Sequence, residues 1–157
     1  MKRTLAWLWL VSACGGSQAA ETPAPTAATS PAARCLAEAS AKRARRAEEP
    51  AQIGVKHILV KHAESERAGA EIRRTREQAC LRALEALEEL KGGADFDAVV
   101  ATYSDEAGAA SRGGSLGAIR RDDVDPAFAD AAFLLDLDGV SYVVETKFGF
   151  HLILRSE

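Results

Sequence analysis

Val55-Lys56-His57-Ile58-Leu59-Val60 is the stretch from which this chain is best read. In an extended backbone alternate side chains face opposite ways, so Val55, His57 and Leu59 share one face and Lys56, Ile58 and Val60 the other. Branched and apolar side chains on both faces describe a strand covered from both sides, which places it centrally in a sheet. Two further β-rich runs close the chain, over residues 140–145 and 150–154, with a loop between them at 146–149. Runs joined so closely form an antiparallel hairpin.

The sequence between these strands is helical and loop-forming. Residues 61–69 are a polar loop. Ala79, Cys80, Ala83, Leu84, Leu87 and Leu90 recur with helical spacing over residues 75–91. Thr75, with Gln78 three residues on, forms a capping box, and Gly92-Gly93 stops the helix. Asp95 caps a second, shorter helix that turns Phe96, Val99 and Val100 inward. A Gly/Ala/Ser loop over 104–115 carries Asp105, Glu106 and Arg112, and a short strand covers 116–119. Pro126 opens a helix with Phe128, Ala132 and Phe133 inside, and Leu137-Asp138-Gly139 makes a turn. One strand, helices, a strand, a helix and a final hairpin make an α+β domain, with helices packed on an antiparallel sheet.

Toward the amino terminus the composition changes. Lys2 and Arg3 precede a short apolar run over residues 5–11, far below the roughly 20 residues that span a bilayer. Residues 1–13 therefore read as an export signal. Val11-Ser12-Ala13-Cys14 resembles a bacterial lipoprotein box, with Cys14 as the lipidation site and a lipid-anchored location in the cell envelope. Gly15 after the cysteine resembles lipoproteins sorted to the outer membrane, facing the periplasm. The competing reading is plain secretion, with cleavage after Ser17-Gln18-Ala19. Residues 14–50 read as a tether, disordered to partly helical: an Ala/Pro/Thr/Ser stretch with Pro23, Pro25 and Pro31, then an Ala/Arg/Glu-rich segment over 34–49, a solvated helix or one touching anionic lipid, that Pro50 ends. The folded domain is expected over 51–157. An oxidising exterior would permit a disulfide, yet Cys35 and Cys80 share no spacing motif, so a free thiol and a buried one are expected. No Cys/His spacing suggests a metal site, and a net charge of −3 gives no reason to expect nucleic acid as a partner.

Lys56-His57-Ile58-Leu59-Val60-Lys61, Tyr103-Ser104-Asp105, Arg112-Gly113-Gly114-Ser115-Leu116-Gly117, Phe128 with Phe133, and Phe148-Gly149-Phe150-His151-Leu152-Ile153-Leu154 stand in order with compatible spacing. Together these blocks resemble the parvulin family of peptidyl-prolyl cis/trans isomerases. The resemblance implies a four-stranded antiparallel sheet surrounded by helices, the FKBP-like superfold, and no cofactor. It implies that His57 and His151 come from neighbouring strands and meet in the core, where they orient the site or transfer protons. Glu106 aligns with a position that holds cysteine or aspartate in relatives, which argues against a thiol nucleophile. A dry site would raise its pKa, and Asp105 competes for its role. Thr146 matches a hydroxyl position able to bond a histidine ring. Leu116, Val124 and Phe128 fall where the family grips the proline ring, with Val124 replacing the methionine of many members. Asp125 matches a backbone-contacting position. Lys61 and Arg67 match two anion-contacting positions of the phospho-directed branch, but Glu66 replaces the neighbouring arginine. A carboxylate there repels phosphate, so no strong phosphoserine preference is expected.

Rotation about an X-Pro bond meets a barrier of about 20 kcal/mol that arises from amide resonance, and no bond has to break. A catalyst need only favour the twisted amide over the planar one. The expected function is such an isomerase acting on proline-containing segments of exported proteins. The alternative is a catalytically weak chaperone that holds such segments.

Overall fold

A computed structural model describes residues 30–157. The export signal, Cys14 and the proline-rich stretch before Ser30 lie outside the described residues.

Four antiparallel strands form one sheet, β1 (Ile53–Val60), β2 (Ser115–Ile119), β3 (Val144–Thr146) and β4 (Gly149–Arg155), in the order β2-β1-β4-β3. The strand read as central, β1, is central. On one face of the sheet Ile58, Val60, Phe150 and Leu152 pack against α1 (Pro31–Ala39), α2 (Arg76–Lys91) and α3 (Phe96–Tyr103). On the other, Val55, Val144 and Ile153 pack against α4 (Pro126–Ala132), through its Phe128 and the Phe133 that follows it. The helix starts follow the sequence signals. The Thr75–Gln78 capping box is formed in both directions, Asp95 caps α3, and Asp125 caps α4 ahead of Pro126.

Three expectations are corrected. The helix expected over 34–49 is instead α1, Pro31–Ala39, capped by Ser30; it is not solvated all round, since Cys35 and Ala39 are buried. Residues beyond it leave the helix and run along the domain. Cys35 and Cys80 are not a free and a buried thiol but a disulfide joining α1 to α2, with their Cα atoms 6.1 Å apart. The pairing is a contact between two helices 45 positions apart, which no local spacing records. The strand expected over 140–145 is confined to Val144–Thr146, with a lone bridge from Val140 to Leu154. Ser141 interrupts it: its N–H donates to Ile153 O at 2.8 Å, while its hydroxyl, in place of a backbone carbonyl, accepts from Ile153 N–H at 3.0 Å.

Candidate active site

β1 pairs with β4 so that His57 lies opposite Ile153 and Leu59 opposite His151. The two histidines are therefore diagonal neighbours on the face that looks toward α4, close enough for their rings to meet. They stack with centroids 5.5 Å apart, and Phe128 stands edge-on to both. Each histidine is only 4% exposed.

Two glycines make this arrangement possible. Gly114 has a φ of +71°, and a Cβ there would lie 2.3 Å from the carbonyl oxygen of His57. Only a bare backbone lets the 104–115 loop come close enough for Gly114 O to accept from His57 N–H at 2.9 Å. Gly149, with φ +130°, allows the turn into β4 to press against Val60 O, where a Cβ would sit at 2.5 Å.

A continuous hydrogen-bonded line crosses the site. His57 Nε2 lies 2.8 Å from Glu106 Oε2, His57 Nδ1 3.3 Å from His151 Nδ1, and His151 Nε2 2.8 Å from Thr146 Oγ1. Phe148 N–H donates to Thr146 Oγ1 at 3.1 Å and closes the line. A carboxylate only accepts, so His57 Nε2 carries a hydrogen. With His57 neutral, His151 Nδ1–H donates to His57 and Thr146 donates to His151. One added proton on His57 reverses both bonds. The line thus accommodates either charge of His57 without moving a heavy atom.

The electrostatics fix the two ends. Glu106 is held below the usual carboxylate range, first by its hydrogen bond from His57 and then by the charges of His57, Arg112 and Lys61, against the opposing effect of burial. The expected upward shift of Glu106 in a dry site is therefore reversed: the His57 hydrogen bond, with the neighbouring charges, outweighs its partial burial. Burial, and then the neighbouring His57, push His151 well below the ordinary histidine value, so it stays neutral. Asp105 does not compete with Glu106. Its carboxylate accepts from Lys61 N–H at 2.8 Å and pairs with Arg74, which also donates to Lys61 O, so Asp105 pins the end of β1.

Above this floor opens a cavity of about 470 Å³. Leu116, Val124 and Phe128 form its apolar wall, and His57, Glu106, Thr146 and His151 its polar floor. Lys61, Glu66, Arg67 and Phe148 stand at one side and Asp125 at the other. Leu116 reaches the cavity because the β1–β2 register slips there: Val55 pairs with Gly117 and Lys56 with Ser115, leaving Leu116 as the extra residue of a bulge. Such a bulge redirects a side chain that regular pairing would point elsewhere, and Leu116 stays 36% exposed within the cavity. Asp125 Oδ1 is occupied in capping α4, where it accepts from Ala127 N–H at 2.9 Å. Lys61 Nζ donates to Arg67 O at 3.0 Å, while Glu66 forms an exposed pair with Lys147 at 3.1 Å. Apart from Cys14 and the competitor Asp105, every site residue expected from the sequence lines this one cavity.

The sequence reading missed Arg112 and Phe148. Arg112 pairs with Glu106 and donates to Ala107 O at 3.3 Å and Ser115 O at 3.0 Å, fastening both sides of the loop. Phe148 forms part of the rim, with the Arg67 guanidinium 5.7 Å and the Lys147 ammonium 5.2 Å from its ring centre. Both stand in quoted motifs, but nothing local in the sequence reveals what they face.

A sequence model of the family described as Rotamase, PPIC-type PPIASE domain, matches residues 57–157. The chain belongs to the PPIC-type, or parvulin, family of peptidyl-prolyl cis-trans isomerases. The isomerase Pin1 of Malus domestica is 37% identical over 114 residues, which cover 67% of this chain and 93% of the relative. The foldase protein PrsA of Halalkalibacterium halodurans is 39% identical over 73 residues, 46% of this chain and 22% of PrsA. The structure of the isomerase ESS1 from Candida albicans superposes with a TM-score of 0.64 at 31% identity, covering 70% of this chain and 65% of that one. Against isomerases of Drosophila melanogaster and Schizosaccharomyces pombe the chain spans only 66% and 62% of the relative's length. The parvulin fold expected from the motifs is the fold observed.

Proposed function

We propose that this parvulin domain is an active isomerase that accelerates X-Pro rotation in exported proteins, by non-covalent stabilisation of the twisted amide. The observation that carries the proposal is the apolar wall of Leu116, Val124 and Phe128 standing directly over the hydrogen-bonded line of Glu106, His57, His151 and Thr146.

The wall grips the proline ring and takes the amide out of water. A planar amide is more dipolar than a twisted one, so removing water raises the planar form more than the transition state. The polar floor then meets the carbonyl as its charge redistributes, with donors already oriented. His57 and His151 act chiefly by holding this geometry, since the buried, neutral His151 is poorly suited to delivering a proton. Glu106 keeps the His57 ring in place and sets the local field. With a carboxylate at this position and Cys35 and Cys80 joined to each other, no thiol nucleophile takes part at the site.

The exported setting rests on three supports: the signal-like residues 1–13 with Cys14 as anchor, the Cys35–Cys80 disulfide, which suits an oxidising compartment, and the likeness to a bacterial protein named a foldase. The anchor would hold the enzyme in the cell envelope, on the periplasmic side of the outer membrane. Clients are extended proline-containing segments. Glu66 stands beside Lys61 and Arg67 in place of an arginine, so a phosphate meets a carboxylate there, and plain Ser-Pro peptides are turned over about as well as phosphorylated ones. A protease-coupled assay on plain and phosphorylated Ser-Pro peptides tests this, using wild type and His57→Ala. Acceleration over buffer that is lost in the variant is expected. Wild-type rates equal to buffer overturn the isomerase, and a gain of tenfold or more on phosphorylation overturns the stated preference.

A further inference from the structure

Residues 31–50 precede the family-matched segment, which begins at His57, yet they are bound to the wall of the proline cavity. The far end of this segment is covalently fixed, because Cys35 of α1 is joined to Cys80 of α2. From α1 the chain crosses to α4. Arg43 donates to Val143 O at 3.3 Å, Arg45 lies 3.4 Å from Asp130, and Arg46 pairs with Asp136 at 2.8 Å and donates to Leu134 O. The segment ends in Glu49, both of whose carboxylate oxygens accept from Arg121 Nη2 at 2.7 Å. Arg121 in turn pairs with Asp130 of α4 and lies over the Phe133 ring, 5.0 Å from its centre.

Arg121 is thus a junction. It begins the short 3-10 turn 121–123 that leads directly into Val124 and Asp125, and it grips α4, which carries Phe128. Two of the three residues of the apolar wall hang from elements that Arg121 holds together. Bidentate guanidinium–carboxylate geometry fixes orientation as well as distance, so the planes of Glu49 and Arg121 set where this junction sits.

We infer that residues 31–50 form a strap that positions the proline-gripping wall, with the Cys35–Cys80 disulfide as its fixed end and Glu49, acting through Arg121, as its positioning residue. The inference rests on reading the cavity as the proline site. Glu49 touches no substrate. Its removal lets the 121–128 segment and α4 shift as a unit, which weakens the grip on proline and leaves the Glu106–His57–His151–Thr146 line intact. Binding therefore suffers more than turnover at saturation.

The test uses the whole chain and a fluorescein-labelled Ala-Ala-Pro-Phe peptide. Fluorescence anisotropy gives Kd, and a protease-coupled assay gives kcat and KM. Glu49→Gln is expected to raise Kd and KM about three- to tenfold with kcat within twofold of wild type, and Glu49→Asp, which restores the charge, to recover part of the loss. Reduction of the wild-type disulfide is expected to move Kd in the same direction. Glu88→Gln, which breaks the exposed pair with Lys91 on α2, is expected to leave Kd unchanged. A merely structural role would lower the melting temperature of Glu49→Gln without moving Kd in the folded protein, and that result overturns the strap. An unchanged Kd on reduction overturns the disulfide as its fixed end. If Glu49→Gln does not fold, the reduced wild type decides the matter. A wild type without catalysis defeats the isomerase reading alone, because the Kd ratios still report on the strap.

Discussion

Glu106 takes its charge state from three neighbours, and each is a separate handle on the site. The His57 bond contributes most, followed among side-chain charges by His57, Arg112 and Lys61. Replacing Arg112 by glutamine removes one cation and two carbonyl contacts. The Glu106 pKa then rises, and the acid limb of kcat/KM moves to higher pH; a profile that superposes on wild type would show that Arg112 does not act on Glu106. His151 makes the complementary prediction. Its folded-state pKa lies well below 6.5, so the unfolded chain takes up this proton first as pH falls. The stability it contributes is complete above 6.5 and is lost below it, at up to about 1.4 kcal/mol per pH unit. Urea midpoints measured between pH 7 and pH 5 are expected to decline accordingly, and His151→Gln to flatten the decline. The slope, rather than the absolute stability of the variant, is the diagnostic.

At the scale of elements, the site depends on close backbone approaches as much as on side chains. Gly114→Ala would place a Cβ 2.3 Å from His57 O at a φ of +71°. The left-handed backbone alone costs about 1–2 kcal/mol, and the loop must also retreat from β1. Stability is expected to fall by at least about 2 kcal/mol, with kcat falling further than folding explains because the Glu106 loop moves with Gly114. Much of this level was legible in the sequence. Strand alternation in β1, the Thr75–Gln78 box, Asp95 and Pro126 are local signals, and each element formed where they pointed. The line of Glu106, His57, His151 and Thr146 was legible because short motifs placed its members. What escaped was non-local. Only Cys35 and Ala39 of α1 are buried, too few to make an apolar stripe. The arginines that follow spend their charges on carbonyls and acids some 90 to 100 positions away. The 140–145 strand failed for a different reason, since a serine hydroxyl replaced a ladder bond.

For the molecule as a whole, the disulfide ties α1 to a domain that the family match places later in the chain. It closes a loop of 45 residues, for which restriction of the unfolded chain amounts to about 4 kcal/mol. Reduction under native conditions is expected to lower the melting temperature markedly, and Cys35→Ser/Cys80→Ser to match the reduced protein; equal stability of the oxidised and reduced forms would contradict the role assigned to the bridge. The same bridge joins the two halves of the functional reading. It fits a protein exported to an oxidising compartment, and it fixes one end of the strap that reaches the proline wall. The central claim, that the wall of Leu116, Val124 and Phe128 over the histidine line accelerates X-Pro rotation, is tested most directly by exchange NMR on an unphosphorylated Ala-Pro peptide with a catalytic amount of the wild-type chain. Cis–trans exchange cross-peaks that grow in proportion to enzyme, and shrink at least tenfold with Phe128→Ala of verified fold, are the expected result. Exchange no faster than in buffer would contradict the account.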